Sequence, residues 1–446
     1  MERSEPGLEG MKTPASIINF ENVGLEMFEL MRELFPICRS ITGPGVRQTL
    51  QILQRYLPLK IHEVPSGTKA FDWTVPKEWT IRDAYILDPD GRKIADFQKN
   101  NLHVVAYSVP VDRILSLEEL DKHLFSLPDL PEAIPYITSY YREHWGFCLS
   151  HKQREALPKG QYRVMIDSEL ADGSITYGEL LIPGETSREI FLSTYICHPS
   201  MANNELSGPV VATALAQWIS RRPRRYSYRI IFVPETIGAL TYLSRNLDLM
   251  KSRIIAGYNL TCLGDERVYS FLPSRAGDTL ADRAALCVLH NQHPGFIHYS
   301  YLDRGSDERQ YCSPGIDLPV ASVMRSKYRE YPEYHTSLDN LELVSPAGLE
   351  GSFTVLSDCL ELLERNGCYR TTCLGEPQLG KYGLYPAVGT RESHRQVSDM
   401  INTLAYADGS LDLIALSTVT LIPVRRLYPV IDKLLAAGLL AEAAST

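Results

Sequence analysis

Apolar positions recur every three to four residues across 22–57 (NVGLEMFELMRELFPICRSITGPGVRQTLQILQRYL), the period of a helix with one buried face. Gly43-Pro44-Gly45 interrupts the run, so two helices joined by a turn are predicted. From residue 61 the period falls to two. IHEVPSGTKAFDWTVPKEWTIRDAYILDPDGRKIADF alternates, is rich in aromatic and β-branched residues, and turns at Asp88-Pro89-Asp90-Gly91. It predicts a β-rich segment over 61–170, broken by the short helical stretch SLEELDKHLFSLPD and the proline-punctuated PDLPEAIPYITSYY.

Over 171–375 strands and helices alternate. EIFLSTYICH, YRIIFVPE, IIAGYNLTCLG and LPVASVMR read as strands. PVVATALAQWISRR, TYLSRNLDLMKSR, DTLADRAALCVLHNQ and PAGLEGSFTVLSDCLELLERN read as helices. That order predicts an α/β fold with a mostly parallel sheet covered on both faces, as a three-layer structure. Residues 1–60 supply its first helices and 61–170 an inserted β-rich domain. The remainder, 384–446, reads as three helices with a closing hairpin, a winged-helix-like domain.

Composition narrows the class. With 446 residues, several domains are expected, and 44% hydrophobic with 22% charged residues is ordinary for a soluble protein. Net charge is −9, which gives a polyanion no help from the overall field. No apolar run is long enough to span a membrane, so no membrane partner is expected. The polar start MERSEPGLEGMKTPAS reads as a frayed tail without an apolar core, and a cytoplasmic location is expected. Nine scattered cysteines without a CxxC pair imply free thiols rather than a zinc ribbon or a disulfide framework. The tail from 391 to 446 has five basic and six acidic residues, a net of −1. It lacks the basic stripe that phosphate binding needs, so packing or self-association is expected of it and nucleic-acid binding is not.

Ligands of parallel sheets gather beyond the carboxyl ends of strands. His198, Glu235, the Asn259–Thr261 segment and His335 follow the four predicted strands in turn. Amide hydrolysis at neutral pH needs an activated water, a proton acceptor and positive charge for the oxyanion. A metal with an adjacent carboxylate supplies these.

These segments, His198, NELSG (204–208), ETIG (235–238), NLT (259–261) and HTSLD (335–339), resemble the di-zinc aminopeptidases of the M28 type in order and spacing. More narrowly, FDWTVPKEWTIRDAYI, YICHPSMANNELSGP and GSDERQYCSPGIDLPV resemble the aminopeptidase-like proteins of the DUF4910/DUF2172 group. Those proteins carry a β insert and a C-terminal winged helix, and many are encoded near surface-polysaccharide or natural-product genes. The resemblance implies a hydrolase cleaving an amide of a small, amine-bearing substrate or short peptide.

The departures alter the metal expectation. The bridging aspartate falls on Asn204, the second metal glutamate on Thr236, the third-strand aspartate on Thr261, and the aspartate two residues after the first histidine on Ser200. Amides and hydroxyls replace carboxylates poorly at zinc, and two zinc ions without a bridge repel. At most one zinc per chain is therefore expected, held by His198 and His335 with Asn204, and with Glu235 as general base. In GSDERQY, Asp307 or Glu308 is expected to supply a carboxylate for the ion or a substrate amine, and Arg309 to meet a substrate carboxylate. Ser207 is expected to cap the following helix, and Gly208 to allow close packing. Phe71, Asp72, Trp73, Glu78 and Trp79 serve either as the insert's core and edge or as a wall of the substrate site. A ligand-binding protein that kept the fold without catalysis is the rival from another class, a winged-helix regulator the third reading, and a homo-oligomer is left open.

Overall fold

The computed structural model describes residues 16–385 and 391–443, so the polar start read as a frayed tail lies outside them through residue 15. The chain divides into two compact units. One runs to residue 276 and resumes over 298–353; the other comprises 277–297 and the chain from 354 onward.

The first unit is organised by an eight-stranded sheet. Its strands are β1 (Lys60–Pro65), β2 (Ser174–Ile182), β3 (Glu189–Tyr195), β4 (Ser227–Val233), β5 (Ile254–Asn259), β6 (Ser270–Leu272), β7 (Ile297–His298) and β8 (Val320–Met324). Their order is β1-β2-β4-β3-β5-β8-β6-β7. The four inner strands, β4, β3, β5 and β8, are parallel, while β1, β2 and β6 pair antiparallel with their neighbours. The sheet is thus mixed, with a parallel centre. All seven residues of β3 are buried, as a strand covered on both faces requires.

Helices α1 (Val23–Leu34) and α2 (Pro44–Leu53) confirm the predicted break at Gly43, whose φ of 101° only glycine adopts readily. Helix α3 (Ser207–Ser220) leads from β3 to β4 on one side, and α4 (Ile237–Arg253) leads from β4 back across to β5 on the other. The chain therefore reverses direction around β3, and the crevice at such a switch point is where ligands bind. His198 and Glu235 follow the ends of β3 and β4.

The inserted segment builds a four-stranded antiparallel sheet from Lys93–Asp96, Glu78–Leu87, Gln161–Ala171 and Val111–Ser116. The stretch 60–65, predicted to open this insert, pairs with β2 as an edge of the main sheet instead. Its alternation suited either sheet, and only the distant partner decided. Trp79 is buried in the core shared with the main sheet, in a cluster with Ile41, Ile175 and Phe191; it stacks on Tyr107 at 5.7 Å and its indole donates to Ser108 O at 3.0 Å. Glu78 pairs with Arg47. The loop 134–139 is fastened to the segment carrying His335, through Tyr136 N to His335 O (2.9 Å) and Ser337 N to Ile134 O (2.8 Å).

In the second unit, α5 (Leu280–Gln292) and the end of α6 (Pro346–Arg365) accompany α7 (Arg391–Tyr406), α8 (Leu413–Thr420) and α9 (Val424–Ala436). Where a closing hairpin was predicted, three strands form a sheet: Cys368–Thr371 lies between Asp408–Asp412 and Leu440–Ala443. Its central strand comes from upstream of the tail, too far along the chain for local pattern to reveal. Among the described residues no single helix is long and apolar enough to cross a membrane, and all nine cysteines are free.

Gly208, in the first turn of α3, makes the close approach expected of it. A β-carbon there would stand 2.3 Å from Leu260 O and 2.3 Å from Thr194 Oγ1. Gly208→Ala should therefore destabilise the protein by about 1–3 kcal/mol. Gly295→Ala, whose β-carbon would meet nothing within 4 Å, should stay within about 0.5 kcal/mol. Urea unfolding of the two variants checks this; equal midpoints would refute the packing argument.

Candidate active site

The turn after β3 carries Cys197 and His198, the latter 4% exposed. His198 Nδ1 lies 2.7 Å from Glu205 Oε2, and its Nε2 faces Glu235 Oε2 at 3.7 Å. Glu205 has no exposure, as does Arg39, whose Nε lies 3.8 Å from Glu205 Oε1 and donates to His198 O at 3.0 Å. A second guanidinium nitrogen, Nη1, donates to Leu34 O at 2.7 Å. A carboxylate is buried at this depth only when compensated, and Arg39 and His198 compensate it. Burial opposes charge on His198, but the carboxylates of Glu205 and, further off, Glu235 hold its pKa above the ordinary value. Neither Glu205 nor Arg39 was singled out from sequence. The one signal was an acid inside the otherwise neutral stretch SMANNELSGP.

Cys197, His198 and Glu205 gather three donor atoms within 4.8 Å. They do not suit a metal. Arg39 already opposes Glu205, Nδ1 is committed, and burial pushes the Cys197 thiol well above its usual range, so the sulfur stays protonated. The set orients His198 instead.

Glu235 is positioned by a strained turn. Thr236 has φ 62° and ψ −77°, and Ile237 N donates across it to Glu235 O at 2.8 Å, closing a γ-turn of the rarer hand. A β-branched residue there costs on the order of 1–3 kcal/mol and needs external support. Asp307 Oδ1 accepts from Thr236 N at 2.7 Å, and Arg309 Nη2 donates to Thr236 Oγ1 at 2.7 Å. Glu235 keeps 21% of its side chain exposed. Burial raises its pKa, with His198 and Arg309 in partial opposition.

This support accounts for two residues expected to meet the substrate or the ion. Asp307 and Glu308 have no exposure. Glu308 Oε1 accepts from Gly305 N, Ser306 N and the Tyr328 hydroxyl, and its Oε2 from Asn259 Nδ2. Glu308 satisfies backbone donors where the loop tightens into the short helix Glu308–Tyr311, and Asp307 satisfies the Thr236 amide through Oδ1 while its buried Oδ2 makes no hydrogen bond; neither residue lines the pocket. Of the three, only Arg309 lines the pocket.

Asn204, expected as a ligand, is likewise absent from the pocket lining. Its Nδ2 donates to the Tyr195 hydroxyl at 2.8 Å, and its carbonyl accepts from Thr261 Oγ1 at 2.9 Å. Neutral hydrogen-bonding groups thus stand at the positions where the di-zinc pattern has carboxylates. Asp339, closing the HTSLD motif, accepts from the amides of Ala202, Asn203 and Asn204 and from the Tyr331 hydroxyl. It therefore caps the π-helical turn Ala202–Leu206 that precedes α3. Burial, resisted by those donors, puts its pKa at about 6. Ser207, expected as the cap, sits one turn inside, where it donates to Asn203 O and accepts from Leu263 N.

His335, at φ 55°, stacks on Tyr334 with ring centroids 3.9 Å apart and lies 5.2 Å, ring to ring, from His198. Burial, with His198 and Arg329 nearby, lowers its pKa well below the ordinary value and keeps it neutral. These residues border a cavity of about 400 Å³. Its lining also carries four aromatic residues, Trp73, Tyr136, Tyr140 and Tyr141, of which Tyr136 packs against both His198 and His335. Of the five insert residues considered as a wall of the site, only Trp73 lines the cavity.

The donor set fits one zinc ion. His198 Nε2 is aimed into the cavity by the bond on its other nitrogen, as metal-binding histidines usually are. His335 is a neutral imidazole, and Glu235 is the adjacent carboxylate. A second ion would find no carboxylate among the lining residues once Glu235 is used.

Comparison with known proteins agrees with this architecture. The family model described as a domain of unknown function, DUF4910, matches residues 28–366, and a winged helix-turn-helix model matches 367–442. A Clostridium acetobutylicum protein, provisionally named for polysaccharide biosynthesis with an aminopeptidase-like domain, is 48% identical over 378 residues, covering 84% of this chain and 86% of its own length. A crystal structure from the same organism, provisionally named a peptidase, superposes with a TM-score of 0.90 at 43% identity, covering 95% of this chain and 98% of that one. A zinc aminopeptidase from Bacillus subtilis shares the fold at a TM-score of 0.55 and 12% identity, over 78% of this chain and 95% of that one. The chain belongs to the DUF4910 family, an α/β domain with the fold of the zinc aminopeptidases followed by a winged helix.

Proposed function

We propose that the protein is a metal-assisted amide hydrolase acting on a small molecule or short peptide, with at most one zinc ion per chain. The observation that carries this reading is the pairing at the switch point. His198 is locked by Glu205 so that its free nitrogen meets the half-buried carboxylate of Glu235 inside a cavity of substrate size. His198 and His335 would hold the ion, which supplies positive charge for the developing oxyanion and lowers the pKa of water. Glu235 takes the proton of the attacking water and returns it to the leaving nitrogen, a shuttle that its raised pKa favours. Glu205 keeps the His198 ring in place, and the Thr236 turn keeps Glu235 in register with it. The name of the Clostridium acetobutylicum relative supports a substrate from polysaccharide biosynthesis; a cytoplasmic site of action is part of the proposal.

The winged helix is assigned to packing or self-association. Two of its basic residues are engaged by acids, Arg426 with Asp399 and Arg425 with Asp358. The full chain should give no salt-dependent gel retardation of duplex DNA at physiological ionic strength. A retarded band that weakens steeply with salt would overturn the assignment.

Three variants separate the roles in the cavity. Against a panel of N-acyl amino acids and dipeptides, Glu235→Gln should lower turnover about 10²–10⁴-fold while metal content, read by elemental analysis, stays unchanged. His198→Ala should lose metal and activity together. Glu205→Gln should weaken zinc binding about 10–100-fold. If Glu235→Gln retains full activity, the base assignment is wrong. If no panel amide is cleaved by the zinc-loaded protein, the hydrolase reading gives way to ligand binding without catalysis.

A further inference from the structure

The cavity's charge pattern is unlike that of a site for a free amine. An ammonium group needs a carboxylate that catalysis does not use, and Glu235 is the one carboxylate in the lining. Asp307 and Glu308, the nearest others, are fully buried, accept from backbone donors and do not line the pocket. The lining instead contains a guanidinium, that of Arg309.

Arg309 is incompletely used. Its Nη2 gives one hydrogen to Thr236 Oγ1 at 2.7 Å. Its Nε is shielded from solvent and unpartnered. Among the described residues no carboxylate is ion-paired with it, and Nη1 makes no hydrogen bond. The fork of Nη1 and the remaining Nη2 hydrogen is thus without a partner, in a lining that also contains Glu235. That fork matches the two oxygens of a carboxylate. In the same lining, Trp73 and Tyr141 meet edge to face at 5.7 Å and remain 40% and 51% exposed. Exposed aromatic rings at a rim offer an apolar face to the body of a ligand, and they exclude the water that would screen the ion pair.

We infer that Arg309 is the specificity-determining residue of this site, selecting substrates that carry a carboxylate close to the amide presented to Glu235. The inference builds on the hydrolase reading for the word substrate, but the recognition itself is a binding event. Two sources share the chemistry: N-acyl amino acids and N-acylated sugar acids. One carboxylate faces Arg309, the amide faces Glu235 and His198, and the ring or side chain lies against the aromatic residues.

The test is calorimetric binding to the full chain as purified, with two matched pairs of probes. These are N-acetyl-L-phenylalanine against N-acetyl-L-phenylalaninamide, and N-acetylmuramic acid against its lactyl carboxamide. The wild-type protein should prefer the acid of at least one pair by on the order of tenfold to a hundredfold, as expected for charge-assisted hydrogen bonds. The pair that shows the preference identifies the source. Arg309→Gln should abolish the preference, lowering affinity for the acid by more than for the neutral partner, and Arg309→Lys should restore part of it. Equal binding of acid and neutral probes in both pairs, or binding of none, overturns the inference. So does an equal loss for acid and neutral probes in Arg309→Gln, which would make Arg309 a support for Thr236 alone. Acid preference without cleavage of any probe would sink the hydrolase reading and leave this one standing.

Discussion

A carboxylate buried without exposure governs this site. Glu205 lies between Arg39 and His198, and each of the three is where it is because of the other two. Removing one partner would leave an uncompensated charge in the interior, a cost of several kcal/mol. The arrangement fixes which imidazole nitrogen faces inward and which faces the cavity. Because Arg39 also binds the His198 carbonyl and the end of α1, the first helix is coupled to the turn that presents the histidine. Orientation of Nε2 toward Glu235 is thus a consequence of packing an ion network, and the chemistry proposed above depends on it.

Around that network the backbone is held in unusual conformations. Ser200, Thr236, Cys262 and His335 all have positive φ without being glycine. Such residues persist only where surroundings over-determine them. For Thr236 the surroundings are Asp307 and Arg309; for His335 they are the stacked Tyr334 and the amide of Tyr136 on its carbonyl. The loss of bridging carboxylates has a matching structural answer. Tyr195 and Thr261 bond to one another and to the Asn204 side-chain nitrogen and backbone carbonyl as neutral groups, while the buried Asn204 side-chain oxygen has no partner.

Much of this was legible in the sequence, for identifiable reasons. Buried parallel strands show as short, β-prone runs with an apolar centre, such as EIFLSTY, and strand-helix alternation fixes where their carboxyl ends lie, which brings His198 and Glu235 to one crevice. His335 was found by motif, and the structure does place it beside His198. What escaped depended on contacts distant in the chain. Arg39 and Glu205 are separated by more than 160 positions and share no pattern. The alternation of residues 60–65 did not say which sheet they join. Asp307 and Glu308 were read as pocket residues because a polar loop before a strand looks solvated; backbone donors at a tight turn claimed them instead. Asn204 matched a ligand position by alignment of motifs, but an amide finds neutral partners more readily than a metal does.

The central claim is that one ion, and only one, can be held by the nitrogen that Glu205 leaves free. Anomalous diffraction at the zinc edge from zinc-soaked crystals tests it most directly. The account predicts a single peak per chain in bonding contact with His198 Nε2 and His335. Two peaks about 3.5–4 Å apart, as in a paired metal site, or a peak seated between Cys197 and Glu205, would contradict it.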